Sequence, residues 1–168
     1  MNSRNPETCS ARPSPRSIRV FPQAIPKIAI FQSNLALVLM DLGEFPEARN
    51  LLRRALASDE RIFPPDHPSI AVDQSNLARV LMDLGELAEA QDLVRKALAS
   101  DVRSFPPGHP YIATDQEILA TVLHGLGELR EACDLMQKAY EASLAQFGPD
   151  DRRTKKRLRF LDALSKEP

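Results

Sequence analysis

Apolar residues recur along this chain at the spacing of a helix, in pairs of runs separated by a glycine. Between residues 68 and 84, Ile70, Leu77, Leu81 and Leu84 fall near one face, with Ala78 beside them. Pro68 stands where the first turn of a helix tolerates proline, and Gly85 stands where a helix is expected to end. Glu86 and Leu87 open a second run, with Ala90, Leu93, Val94, Ala97 and Leu98 on one face. The Phe-Pro-Pro-Gly-His-Pro segment at 105–110 stops that run, because proline lacks the amide donor and clashes with the preceding turn. The pattern predicts a helix hairpin closed by a proline-rich loop. Ala90 and Ala97 are needed at the crossing, where a larger side chain would hold two close helices apart.

The same pattern occurs three times. His67-Pro68 returns as His109-Pro110, and Asn34-Leu35-Ala36 as Asn76-Leu77-Ala78. Leu42-Gly43-Glu44 returns as Leu84-Gly85-Glu86 and Leu126-Gly127-Glu128. Phe63, Phe105 and Phe147 close the units, and every step is 42 residues. Helices are predicted near 27–42, 45–61, 69–84, 87–104, 111–126 and 129–146. A last one near 151–164 begins at the Asp150-Asp151 capping pair. This divides the chain into a Pro/Ser/Arg-rich tail (1–24), repeats at 25–67, 68–109 and 110–150, and a capping helix with its tail at 151–168.

Composition narrows the function classes. Abundant Ala and Leu with only 6 glycines favour helices, and the 43% of hydrophobic residues can build a core. A formal net charge of −1 gives no global attraction to nucleic acid or to an anionic membrane. Cys9 and Cys133 read as two free thiols in a reducing compartment, with no disulfide framework or metal-ligand spacing. No apolar run reaches the length of a membrane span, and residues 1–20 lack the apolar stretch of a secretory signal. A cytoplasmic protein without membrane attachment is expected.

The repeated residues resemble the tetratricopeptide repeat. The first-helix pattern reads Gln32, Leu35, Ala36 and Leu39, and the second-helix pattern reads Ala48, Leu52 and Ala55. The closing proline of that repeat is replaced by Glu60, Val102 and Leu144. The Asn-Leu-Ala core, the Leu-Gly-Glu turn and the Phe-Pro-Pro-Asp-His-Pro link are similar to the longer repeats of the kinesin light chain type. This resemblance implies an all-α, right-handed superhelical solenoid of three helix-turn-helix repeats plus a C-terminal capping helix. It also implies a concave groove lined by the first helix of each repeat, used to hold a protein or peptide.

By that resemblance the groove would present Ser33, Asn34, Leu37 and Met40 from the first repeat. The second would give Ser75, Asn76, Arg79, Met82 and Asp83, and the third Glu117, Thr121 and His124. Two readings stand for Asn34 and Asn76: gripping a ligand backbone by donating and accepting, or tying neighbouring helices together. Gln32, Gln74 and Gln116 are expected to serve packing. His67 and His109, each before a proline, are expected to cap loops rather than bind metal or move protons. His124 lacks a partner at metal-ligand spacing. No phosphate loop, nucleophile elbow or carboxylate pair points to catalysis, so no catalytic residue, metal or cofactor is assigned.

Two surfaces remain. Arg152, Arg153, Lys155, Lys156, Arg157 and Arg159 form a basic stretch, expected to be the polar outer face of a cap rather than an electrostatic patch for nucleic acid or an acidic partner. Phe21, Ile25, Ile28, Ile30 and Phe31 form an apolar cluster that either the tail, folded back, or another chain (a second copy or a partner) would cover. The function expected is a non-catalytic interaction scaffold. The alternative is a structural, self-associating repeat fragment or a regulatory subunit of a larger assembly.

Overall fold

The computed structural model of the protein describes residues 24–165, and side chains from residue 28. Seven helices follow one another: α1 (Ala24–Asp41), α2 (Phe45–Ile62), α3 (Pro68–Asp83), α4 (Leu87–Ser104), α5 (Pro110–Leu126), α6 (Leu129–Phe147) and α7 (Arg152–Leu164). Among the described residues there is no strand. Helices α1–α2, α3–α4 and α5–α6 form antiparallel hairpins, and α7 packs on α6. Each hairpin stacks on the next, with α1 touching α3 and α3 touching α5. The result is an all-α helical repeat solenoid. The helices start and stop close to where the spacing predicts. The exception is α1, which begins three residues earlier, with Pro26 in the first turn, where a missing amide costs nothing.

The hairpin turns are set by backbone chemistry. Gly43, Gly85 and Gly127 hold φ values of 80, 78 and 83°, which only glycine adopts without strain. Their amides donate to Met40, Met82 and His124, while the amides of Glu44, Glu86 and Glu128 reach back to Leu39, Leu81 and Leu123. That double closure satisfies the last carbonyls of each first helix. Between hairpins, His67 and His109 act as caps, as expected. Their Nδ1 atoms accept from the amides of Ser69 (3.2 Å) and Tyr111 (3.3 Å). Each ring also stacks on its repeat's phenylalanine, at 4.0 Å on Phe63 and 4.1 Å on Phe105. In the third loop the step of 42 puts Asp151 in the histidine's place, where it accepts from the Arg153 amide at 2.8 Å. There the Arg153 guanidinium lies over the Phe147 ring at 3.5 Å.

The core is built from the same positions in every repeat. Ala48, Ala90 and Ala132 are fully buried, as are Ala55, Ala97 and Ala139. The gaps between them are filled by Leu52, Val94 and Met136. On the outer side Arg53 pairs with Glu89 and Arg95 with Glu131. These pairs are half exposed, so each contributes about 0–1 kcal/mol.

The first hairpin differs in one respect. Ile70, Leu77 and Val80 of α3 are at most 3% exposed, because α1 and α2 cover them. Their α1 counterparts Ile28, Leu35 and Val38 are 53, 50 and 54% exposed. Phe31 and Leu42 extend the same bare apolar face. Phe21 lies outside the described residues.

Candidate functional site

Three inter-repeat seams decide which polar side chains are left to face a ligand. Ser33 donates to Asp73 at 2.7 Å across the first seam, and Ser75 donates to Asp115 at 2.5 Å across the second. Both serines and both aspartates are buried. Asp59 and Asp101 stand at equivalent places on α2 and α4 and are buried beside them. The step of 42 makes the third seam Glu117, Ser143 and Arg157. There the chemistry is inverted. Arg157 Nε donates to Glu117 at 2.7 Å, and its Nη1 donates to Ser143 Oγ and, at 3.3 Å, to the Ala139 carbonyl.

Burial sets the proton affinities in these seams. It pushes the Asp73 carboxyl up to about 6, against the lowering pull of the Ser33 bond and with the Asp59 charge adding to the rise. It pushes Asp115 up to about 7, with Ser75 and Asp101 in the same roles. Asp59 and Asp101 are also raised by burial, against a lowering pull from His67 and His109. Burial would raise Glu117 as well. The bonds and charges of Lys156 and Arg157 outweigh it and hold that carboxyl below its usual range.

The groove lies along α3, α5 and α7 as an open cleft of about 1000 Å³. Arg79 and Met82 form one side, Thr114, Ile118 and Thr121 the floor, and Phe160 with the cations of α7 the other side. Its charge is one-sided. Arg79, Arg152 and Arg159 make no ion pair among the described residues. Lys155 and Lys156 pair with Asp150 and Glu117. Such a wall attracts carboxylates, and partial enclosure strengthens that attraction over bulk water.

The residues expected to line the groove divide between two places. Arg79, Met82, Glu117 and Thr121 line the cleft, and Asn76 lines a smaller recess beside it. Ser33 and Ser75 use their hydroxyls inside the seams; this takes Ser33 off the ligand face, whereas Ser75 also lines the recess beside Asn76. Asn34 is exposed and Asn76 half-buried. Leu37 and Met40 are half-buried on the first repeat, and Asp83 is exposed outside the cleft. His124 meets the Phe160 ring edge-on at 5.6 Å. Sequence reasoning missed the α7 wall, because a basic terminal helix reads as a solvated cap. It also missed Asp101 and Asp115, although their recurrence from Asp59 and Asp73 was visible at the repeat step. Among the described residues no three His, Cys, Asp or Glu side chains gather to hold a metal, and no helix is long and apolar enough to cross a membrane. Cys133 is a half-buried free thiol.

The tetratricopeptide repeat family profile matches residues 27–101 and again 116–138. Among solved structures, a putative kinesin light chain with nearly identical TPR-like repeats from Podosopora anserina superposes with a TM-score of 0.78. It is 23% identical, and the match covers 83% of this chain and 66% of that one. BtubC (BKLC) from P. vanneervenii gives 0.70 at 23% identity, covering 86% of this chain and 57% of that one. The first TPR of Spaghetti (RPAP3), bound to the HSP90 peptide SRMEEVD, gives 0.60 at 18% identity, covering 84% and 96%. The chain therefore spans two thirds or less of the two kinesin light chain-like structures. No curated protein sequence matches significantly.

Proposed function

Because the chain belongs to the tetratricopeptide repeat family, with kinesin light chain-like repeats, we propose that it is a non-catalytic scaffold whose α3–α5–α7 groove holds an extended acidic segment of a partner protein. One observation carries this reading: a cleft of about 1000 Å³ walled by exposed arginines and lysines. Ile118 on the floor and Phe160 on the α7 side give apolar contact, and Thr114 and Asn76 offer hydrogen bonds to an extended backbone. A structural neighbour, the first TPR of Spaghetti (RPAP3), is bound to the HSP90 peptide SRMEEVD, which supports this reading. Arg152→Glu with Arg159→Glu is expected to weaken binding of a fluorescein-labelled glutamate-rich decapeptide about tenfold or more at low salt, with helicity unchanged. Fluorescence anisotropy measures it. Equal affinity of wild type and double variant would remove this reading.

The bare apolar face of α1 supports a second reading, self-association. Ile28, Phe31, Leu35 and Val38 expose what the later repeats bury, and contiguous apolar surface of this kind marks an interaction site. Light scattering is expected to show mass rising with concentration, and Leu35→Asp with Val38→Asp is expected to return the protein to a monomer. A constant monomer mass in the unsubstituted protein discards this reading.

A further inference from the structure

Beside the cationic cleft lies a recess of the opposite chemistry. It sits between α3, α4 and α5, has a volume of about 180 Å³, and is lined by Asp101 from α4 and Asp115 from α5. Each aspartate is only 3% exposed. Ser75 satisfies one oxygen of Asp115, but Asp115 Oδ2 and Asp101 Oδ1 are buried and meet no donor. Carboxylate oxygens withdrawn from water without a donor are costly, and folds retain few of them. His109, in the loop before α5, exerts a favourable field on Asp101. Arg79 stands on the wall shared with the cleft and pairs with neither carboxylate. Asn76 and Thr114 add polar groups at the lining, and the remainder is apolar or aromatic: Val72, Ile118 and the Tyr111 ring.

We propose that this recess takes the cationic head of one lysine or arginine side chain from the partner segment. The ammonium or guanidinium donates to Asp101 Oδ1 and Asp115 Oδ2, and its methylene stem lies along Val72 and Ile118. The proposal rests on the groove reading above and adds to it. Room for about six waters fits the end of a single side chain. The apolar walls and the Tyr111 ring suit an organic cation with a stem. A hydrated divalent ion would want oxygen ligands on all sides. Recess and cleft share Arg79, Thr114 and Ile118. The partner segment therefore carries a basic residue next to its acidic stretch, and the two compartments read opposite charges in adjacent positions.

Full-length protein and synthetic peptides test this. Each peptide has a run of four glutamates and one arginine, placed before the run in one version and after it in another. A matched pair carries citrulline, which keeps the shape and loses the charge. In at least one version the arginine peptide is expected to bind about tenfold more tightly than its citrulline partner. Asp101→Asn is expected to shrink that difference, because only the Asp115 carboxylate then faces the cation. Equal affinity of arginine and citrulline peptides in both versions overturns the recess and leaves the groove reading standing. In a parallel titration, n-butylguanidinium alone is expected to shift the backbone amide signals of Ser75, Asp101 and Tyr111. Magnesium chloride at the same ionic strength is expected to leave them in place. If no peptide binds but n-butylguanidinium still shifts those signals, the recess stands and the groove reading falls. If magnesium reproduces the shifts, or n-butylguanidinium produces none, the proposal is overturned.

Discussion

Arg157→Met is expected to destabilise the protein by about 3 kcal/mol and to release α7 from the stack. The reason lies in the inverted third seam. Arg157 is 4% exposed and is held by Glu117, Ser143 and the Ala139 carbonyl. Methionine fills much of the same volume but leaves Glu117 with a single cation, the exposed Lys156. Breaking a buried charge pair by removing one partner costs about 3–5 kcal/mol, because the other charge is left uncompensated. The Glu117 side chain is 18% exposed, so water softens the loss and the lower end applies. A 13-residue helix does not hold itself in water, so α7 is expected to unfold locally once its anchor is gone. Thermal melts read by circular dichroism are expected to show a midpoint roughly 6–12 °C lower. Hydrogen exchange in 152–164 is expected to become fast while α3 and α4 stay protected. Adding Glu117→Gln is expected to recover part of the loss, since no buried charge then lacks a partner. A single-variant midpoint within a degree of wild type contradicts this role for Arg157. The groove loses a wall with α7, so acidic-peptide binding is expected to fall in parallel.

Arg157 also shows where sequence reading stops. The repeat, the hairpins, the glycine turns, the histidine caps and the alanine crossings were all legible. Each follows from a residue type acting on its own backbone or at a fixed helical spacing. The seams were not. Ser33 and Ser75 read as ligand-facing because a polar residue on a helix is ordinarily solvated. Their burial depends on Asp73 and Asp115, which arrive from the next repeat 40 residues later. Arg157 read as one cation among six on a solvated helix, yet it occupies the column of Asp73 and Asp115 at the 42-residue step. The sign change at 157, matched by Glu117 in the serine column and Ser143 in the aspartate column, is the sequence signal for the inverted seam. It becomes readable only once the columns are known to face one another.

Those same columns make the stack sensitive to pH in an unusual direction. Asp73 and Asp115 have folded-state values of about 6 and about 7, above their ordinary 3.8, chiefly through burial. A raised value means that the folded state holds the proton more tightly than the unfolded chain. The stabilising contribution is complete below about pH 4, where both states are protonated. It is lost as pH climbs through 6 and 7, where the folded protein must ionise buried carboxyls. Glu117, Asp150 and Asp151, with lowered values, act oppositely but finish titrating on the acid side. Between pH 5 and 8 the two seam aspartates therefore dominate, and stability is expected to fall by roughly 3 kcal/mol. Urea unfolding at pH 5, 6, 7 and 8 measures it. Asp115→Asn mimics the protonated form, and is expected to raise stability at pH 8 and flatten the curve. Stability that is flat or rising over this range in the unsubstituted protein contradicts the argument. A cation bound in the recess would favour the ionised carboxyls, so the arginine peptide is expected to stabilise the protein more at pH 8 than at pH 5.5. The citrulline peptide is expected to show no such gain, which ties the proton and the ligand to the same pair of oxygens.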